Sequence, residues 1–158
     1  MQLKILEFIS SQLIERKETV AVAESVTAGL LTRSFSLAEN ATAFLQGGII
    51  VYNLGQKTKH LNVNPIHGER TNCVSAEIAI QMALAVADQF CSEWGIAITG
   101  YAAPVPALNV KSCFAHYAIT NNDRLVHSNI IETKLLGQAR VQQYFVDQLL
   151  RTFRDQLS

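Results

Sequence analysis

The chain has 158 residues, 13 basic and 13 acidic side chains, a formal charge of zero, and 49% hydrophobic against 16% charged residues. A globule of this size buries roughly 70% of the surface its unfolded chain exposes, so it can hold a core without disulfides or metals, and a composition this apolar excludes intrinsic disorder. The balanced charge offers no concentrated basic surface for nucleic acid or an acidic membrane, and no apolar run reaches the roughly 18 residues a membrane span requires.

Residues 3–17 carry Ile5, Leu6, Phe8, Ile9 and Leu13 on one side of a 3.6-residue period, which predicts an amphipathic helix. Glu7 and Glu15 interrupt this stretch and no small-residue cleavage site follows, so it does not read as a secretion signal, and a soluble cytoplasmic protein is expected. Thr19 to Ala23 is short, β-branched and apolar, and leads through Ser25 into a predicted helix from Val26 to Leu37, a strand–turn–helix sense. A second strand is predicted over Gly48 to Tyr52, and a short helix over Gln56 to Leu61 with Pro65 closing it.

Ser75 caps a long predicted helix patterned on Ile78, Met82, Ala85, Val86 and Phe90, with Glu77 in its first turn and Gly95 ending it. So apolar a helix fits either self-association, as in a homo-oligomer, or burial at the centre of one domain. Ile96 to Thr99 reads as a strand, followed by a loop with Pro104 and Pro106 and a strand around Cys113 to Thr120. Asn121, Asn122 and Asp123 form a predicted hairpin turn, Leu125 to Glu132 pairs back, and Leu136 to Leu157 makes a closing helix. The order predicts an α/β fold: a single three-layer α/β/α domain spanning residues 1–158, with helices on both faces of a mixed sheet.

Cys73, Cys91 and Cys113 are an odd number at wide spacing without a CxxC pair, which fits a reducing compartment and buried thiols. His60, His67, His116 and His127 show no ligand spacing, and no metal site is readable.

In open α/β sheets ligands bind at the carboxyl ends of strands, and three such junctions here are polar: residues 24–29, residues 52–57, and Thr99–Gly100. Ser25 at a strand-to-helix turn either caps its helix or, lying near the unpaired N–H groups of Val26, Thr27 and Ala28, serves as a nucleophile beside an oxyanion hole. Lys57 is the candidate base at a junction; it accepts a serine proton only if its surroundings keep it neutral, and the other reading is a solvated lysine on a short helix. Tyr52 offers either a hydroxyl to the same site or plain packing, and Thr99–Gly100 either a close approach or a tight turn. Arg140, in the first turn of the last helix, works against the helix dipole, which a phosphate ligand would explain; solvated arginines are common there too. The Tyr52–Lys57 separation is one residue too long for the short-chain dehydrogenase pair and no GxGxxG precedes it, so nicotinamide-dependent oxidoreduction is set aside.

Ala23-Glu24-Ser25-Val26-Thr27-Ala28-Gly29, then Gly47-Gly48 through Tyr52-Asn53 to Lys57, then Val74-Ser75 with Ala79, then Thr99-Gly100-Tyr101-Ala102-Ala103-Pro104, and finally Arg140 follow one another in order over nearly the whole chain. This series resembles the C-terminal domain family of the competence/damage-inducible protein CinA, found also as a stand-alone nicotinamide-nucleotide amidase. The resemblance implies hydrolysis of the carboxamide of nicotinamide mononucleotide to the acid and ammonia, with no metal and no cofactor. It implies Ser25 as nucleophile, Lys57 as general base and Tyr52 as a proton-shuttling or positioning hydroxyl. It further implies a ligand pocket drawn from Glu24, Thr27, Gly29, Thr99 and Gly100, with Arg140 on the ligand's anionic portion.

Departures from the family pattern are equally visible. Val26 replaces a cysteine, Ala28 a glycine, and Leu54–Gly55 an Asn and an acidic residue; the glycine-rich extension after Pro104 is missing. The retained Ser25, Tyr52 and Lys57 favour an amidohydrolase, while the shortened loop favours a relative with a shifted substrate, or a non-catalytic one that binds a nucleotide or a protein partner.

Overall fold

The computed structural model describes residues 2–158. Helix α1 (Gln2–Arg16) ends where Lys17 turns to positive φ, and strand β1 (Val20–Glu24) follows. Helix α2 (Leu30–Ser36), strand β2 (Leu45–Ile50), and helices α3 (Leu54–Leu61), α4 (Pro65–Arg70) and α5 (Ala76–Gln89) come next. Strands β3 (Trp94–Tyr101), β4 (Cys113–Asn121) and β5 (Arg124–Thr133) and helix α6 (Gln138–Gln156) complete the chain. The sheet runs in the order β2-β1-β3-β4-β5, with β1 parallel to β2 and β3 and the β3–β4–β5 meander antiparallel. Asn122 and Asp123, both at positive φ, make the tight hairpin turn that the right-handed twist of β4 and β5 favours.

Alternation along the strands sorts side chains by size onto two faces. Val20, Val22, Ile96, Ile98, Tyr117 and Ile119 point to one side, where Leu6, Ile9 and Leu13 of α1, Phe35 of α2 and Phe145, Leu149 and Phe153 of α6 pack over them. Ala21, Ala23, Ala97 and Ala118 point to the other, under Ile78, Met82 and Val86 of α5. The small residues let α5 sit low on the sheet, and its apolar pattern is thereby accounted for within one domain. Helices on both faces give the three-layer α/β arrangement expected from the sequence.

Several boundaries differ from expectation for identifiable reasons. The helix expected from Val26 begins only at Leu30, because Ala28 (φ 49°) and Gly29 (φ 98°) hold the intervening chain in a turn. Ser25 therefore does not cap α2. Pro65 opens α4 at its first turn instead of closing α3, with Asn64 accepting from the N–H groups of Ile66 and His67. Gly95 does not end α5: Cys91 takes the left-handed position (φ 51°), Ser92 N–H returns to Ala87 O at 2.9 Å, and Gly95 lies inside β3. Of the three cysteines expected to be buried, only Cys113 is; Cys73 is half-buried and Cys91 exposed, and all three are free thiols.

Gly95 marks the closest approach of α5 to the sheet, since a Cβ there would collide with Ala83 O and lie 2.9 Å from Ala87 Cβ. Gly95→Ala is expected to cost about 2–3 kcal/mol in urea unfolding. Gly55→Ala, whose nearest neighbour would be Asn53 Oδ1 at 3.5 Å, should leave the midpoint unchanged or slightly raised.

Candidate active site

The carboxyl ends of β1, β2 and β3 meet at one point, and the backbone ladder continues past the strands there. Ser25 N–H donates to Ile98 O at 3.1 Å and Val51 N–H to Glu24 O at 2.9 Å. Ser25 is thus pinned to the sheet on one side, 8% exposed, before the chain turns away through residues 26–29. Asn53 caps α3 by accepting from Gln56 N–H at 3.0 Å, which sets the helix so that Lys57 and Leu61 face inward.

Lys57 is 1% exposed. Its amine donates to Ser25 Oγ at 2.9 Å and to the carbonyl of Val51 at 2.9 Å. Among the described residues no carboxylate pairs with it. Burial lowers its pKa from the ordinary 10.5, against a smaller opposing pull from the Cys73 thiol. Burial in turn raises the Cys73 thiol, and the nearby lysine offsets part of that. An amine drawn toward its neutral form has a lone pair for a serine proton, and the bond to Val51 O fixes one N–H away from Ser25.

A cavity of 310 Å³ opens beside this pair, lined in part by Tyr52, Asn53, Asn72, Cys73, Thr99, Gly100, Tyr101 and Gln138. Tyr52 stands at its mouth, 62% exposed. Thr99 is buried, and its hydroxyl donates to Cys73 O at 2.7 Å, tying the α4–α5 connection to the end of β3. At Gly100 a Cβ would strike Phe114 O, so the glycine permits the close β3–β4 pairing at the cavity's edge.

Expected pocket residues on the other side of the turn have a different task. Glu24 is fully buried and does not line the cavity: Oε1 accepts from Thr27 Oγ1 (2.6 Å) and Leu31 N–H (2.8 Å), and Oε2 from Thr32 N–H (2.9 Å) and Thr32 Oγ1 (2.6 Å). The carboxylate fills the head of α2, and Thr27 is committed to it. Thr27 and Gly29 border a separate shallow depression with Arg33 and Gln142. Arg140 does lie in the first turn of α6 but is exposed and outside the cavity, which Gln138 reaches instead. The expectation that Ala28 N–H is unpaired is also corrected, since it donates to Ser25 O at 3.1 Å; the N–H groups of Val26 and Thr27 meet no backbone acceptor among the described residues.

Sequence reasoning missed Asn53, Asn72, Cys73, Tyr101 and Gln138 as cavity residues. Asn53 had a signal as a cap before a short helix, and Asn72 (φ 50°) one as a residue suited to the left-handed region. Cys73 (φ 62°) had none.

A family model described as the CinA C-terminal domain matches residues 2–157. The chain belongs to this family. Among curated relatives, a CinA-like protein of Thermosynechococcus vestitus is 43% identical over 96 residues, 61% of this chain and 23% of that protein. A CinA-like protein of Rippkaea orientalis is 40% identical over 103 residues, 65% of this chain and 25% of that protein. The matches thus span about a quarter of those relatives' length. Among solved structures, a competence-damaged protein (CinA) superfamily protein from Escherichia coli superposes with TM-score 0.91 at 23% identity, covering 100% of this chain and 91% of that one. Its counterpart from Enterobacter cloacae gives 0.90 at 24% identity, with 100% and 93% covered. At these identities the structures establish a CinA fold.

In this CinA domain the Glu24 network holds the turn that carries Ser25. Glu24→Gln replaces one acceptor oxygen with a donor facing donors, and is expected to lower unfolding stability by about 2–3 kcal/mol in urea titration.

Proposed function

We propose that this chain is a serine–lysine amidohydrolase that cleaves the carboxamide of a nicotinamide nucleotide or a closely related small amide. The observation that carries this reading is the 2.9 Å approach of the Lys57 amine to Ser25 Oγ where the lysine is 1% exposed. A lysine merely decorating a short helix would keep its ammonium in water.

An amide carbonyl is a weak electrophile with a poor leaving group, so it requires an activated nucleophile, oxyanion stabilisation and a proton for the departing nitrogen. Neutral Lys57 accepts the proton of Ser25 as Oγ bonds to the carbonyl carbon. The Val26 and Thr27 N–H groups, next along from the nucleophile and without backbone partners, are the candidate donors to the oxyanion. The ammonium of Lys57 then returns its proton to the amide nitrogen, the C–N bond breaks, and ammonia departs, leaving an ester on Ser25. Water, deprotonated by the same amine, cleaves the ester, releasing the acid and restoring the serine hydroxyl. Tyr52 at the cavity mouth contributes a hydroxyl for positioning the amide or relaying its proton.

Arg140 outside the cavity and the shortened segment after Pro104 support a second reading, a CinA-family relative with a shifted substrate or with binding alone. Ammonia release from nicotinamide mononucleotide and related carboxamides separates the two. Ser25→Ala and Lys57→Met are each expected to lower kcat/KM by about 10²–10⁴ with the fold intact by circular dichroism. No turnover of any carboxamide by the unaltered chain, with nucleotide binding retained, would favour the second.

The pH dependence follows from the lysine. Its amine must be neutral and burial lowers its pKa, so below the depressed value the base is protonated and idle. The logarithm of kcat/KM should rise with slope near one as pH increases, then level at a pH below 10.5, the ordinary lysine value. A profile flat through the acid range would refute Lys57 as the base.

A further inference from the structure

The turn that carries Ser25 is fastened from several directions. Ser25 N–H donates to Ile98 O at 3.1 Å, and Ala28 N–H donates back to Ser25 O at 3.1 Å. Thr27 Oγ1 donates to Glu24 Oε1 at 2.6 Å. One more tie comes from far along the chain: the side-chain amide of Gln142, in α6, donates to Val26 O at 2.8 Å across 116 positions of sequence. The N–H groups of Val26 and Thr27, which directly follow the nucleophile, remain without backbone acceptors.

A trans peptide is planar, so its carbonyl and its N–H point in opposite directions, and holding the oxygen aims the hydrogen. The oxygen of the Ser25–Val26 peptide is held within the turn, by Ala28 N–H. The oxygen of the Val26–Thr27 peptide is held by Gln142. Each free donor thus has its direction set through its own peptide, one by a local main-chain bond and one by a side chain of the last helix.

Gln142 has a firm footing for this task. It is half-buried, and its neighbours Val141, Phe145 and Val146 are fully buried in the core beneath α6. The adjacent Gln143 makes the ordinary bond of a helix-surface glutamine, to Asp147 four residues on at 2.9 Å. Gln142 instead reaches across to the turn. It borders the separate depression on the far side of that turn and not the cavity, so it acts on the site through the peptide it holds.

We propose that Gln142 is a positioning residue: by holding Val26 O it aims the Thr27 N–H at the oxyanion that forms when Ser25 attacks, without touching substrate. This rests on the hydrolase reading above and adds the device that keeps one of its two oxyanion donors in place. A donor directed at charge that develops only in the transition state governs kcat and leaves ground-state binding alone.

Three variants test it. Gln142→Ala removes the tie, Gln142→Glu sets an acceptor against an acceptor at nearly the same size, and Gln142→Lys keeps a donor on a flexible stem. Ammonia release from nicotinamide mononucleotide is measured on the high-pH plateau, where titration of Lys57 does not enter, with thermal melts confirming that each variant folds. Gln142→Ala and Gln142→Glu should lower kcat about 10–100-fold while KM stays within about threefold. Gln142→Lys should recover kcat to within about fivefold of the unaltered chain. A lower melting temperature with kcat unchanged, a loss confined to KM, or a lysine variant no better than the alanine one would overturn the proposal.

Nuclear magnetic resonance relaxation reads the same anchor without turnover. The Thr27 N–H order parameter should fall from about 0.85 in the unaltered chain to below about 0.6 in Gln142→Ala, while that of Val26 holds. If the unaltered chain hydrolyses no carboxamide, the hydrolase reading fails and this measurement alone decides. A fall confined to Thr27 then sustains Gln142 as the anchor of that peptide; an unchanged value, or an equal fall at Val26, rejects it.

Discussion

The contact on which the rest of this molecule turns is a lysine amine taken out of water and set against a serine hydroxyl. Burying an ammonium without a carboxylate is strongly unfavourable, so the fold must supply partners, and burial draws the amine toward its neutral form. Val51 O and Ser25 Oγ are those partners, and both belong to the ends of sheet strands. The sheet register, the Asn53 cap that orients α3, and the turn that carries Ser25 all serve to bring one nitrogen to one oxygen.

That convergence depends on how the sheet distributes bulk. Alanines on the α5 side of β1, β3 and β4 let that helix lie close, with Gly95 at the limit, while valines, isoleucines and aromatic rings fill the opposite layer. A thin layer on the site's face keeps α3 and the connection into α5 near the strand ends. Thr99 then ties that connection down through Cys73 O, so the cavity wall is fastened to the strand it borders.

The fold was legible because apolar strand segments bounded by turn residues alternate with strongly periodic long helices, so the α/β order and the closing helix follow from pattern alone. Boundaries failed where local rules have two solutions. Gly95 resembled a helix stop, yet its missing Cβ serves helix–sheet contact and Cys91 makes the stop; Pro65 opens a helix as readily as it closes one. Ser25 and Lys57 were readable as chemistry at strand ends, but their proximity joins residues far apart in sequence and only the folded chain expresses it. Glu24 shows the opposite limit: its place in a motif suggested a ligand contact, whereas its four donors are all internal. Tyr101 carried no signal, since nothing local tells which face of a strand will border a cavity.

The Glu24 carboxylate has a wider consequence. Helix heads beside strand ends commonly attract anions from solution, and here the polypeptide has installed its own. The head of α2 is electrically satisfied by the chain itself, so that helix end offers no vacant positive pole, and the free N–H groups lie earlier in the turn, at Val26 and Thr27. Evolution of new preferences in this scaffold would then run through the residues that shape the cavity's walls, leaving the carboxylate beneath them untouched.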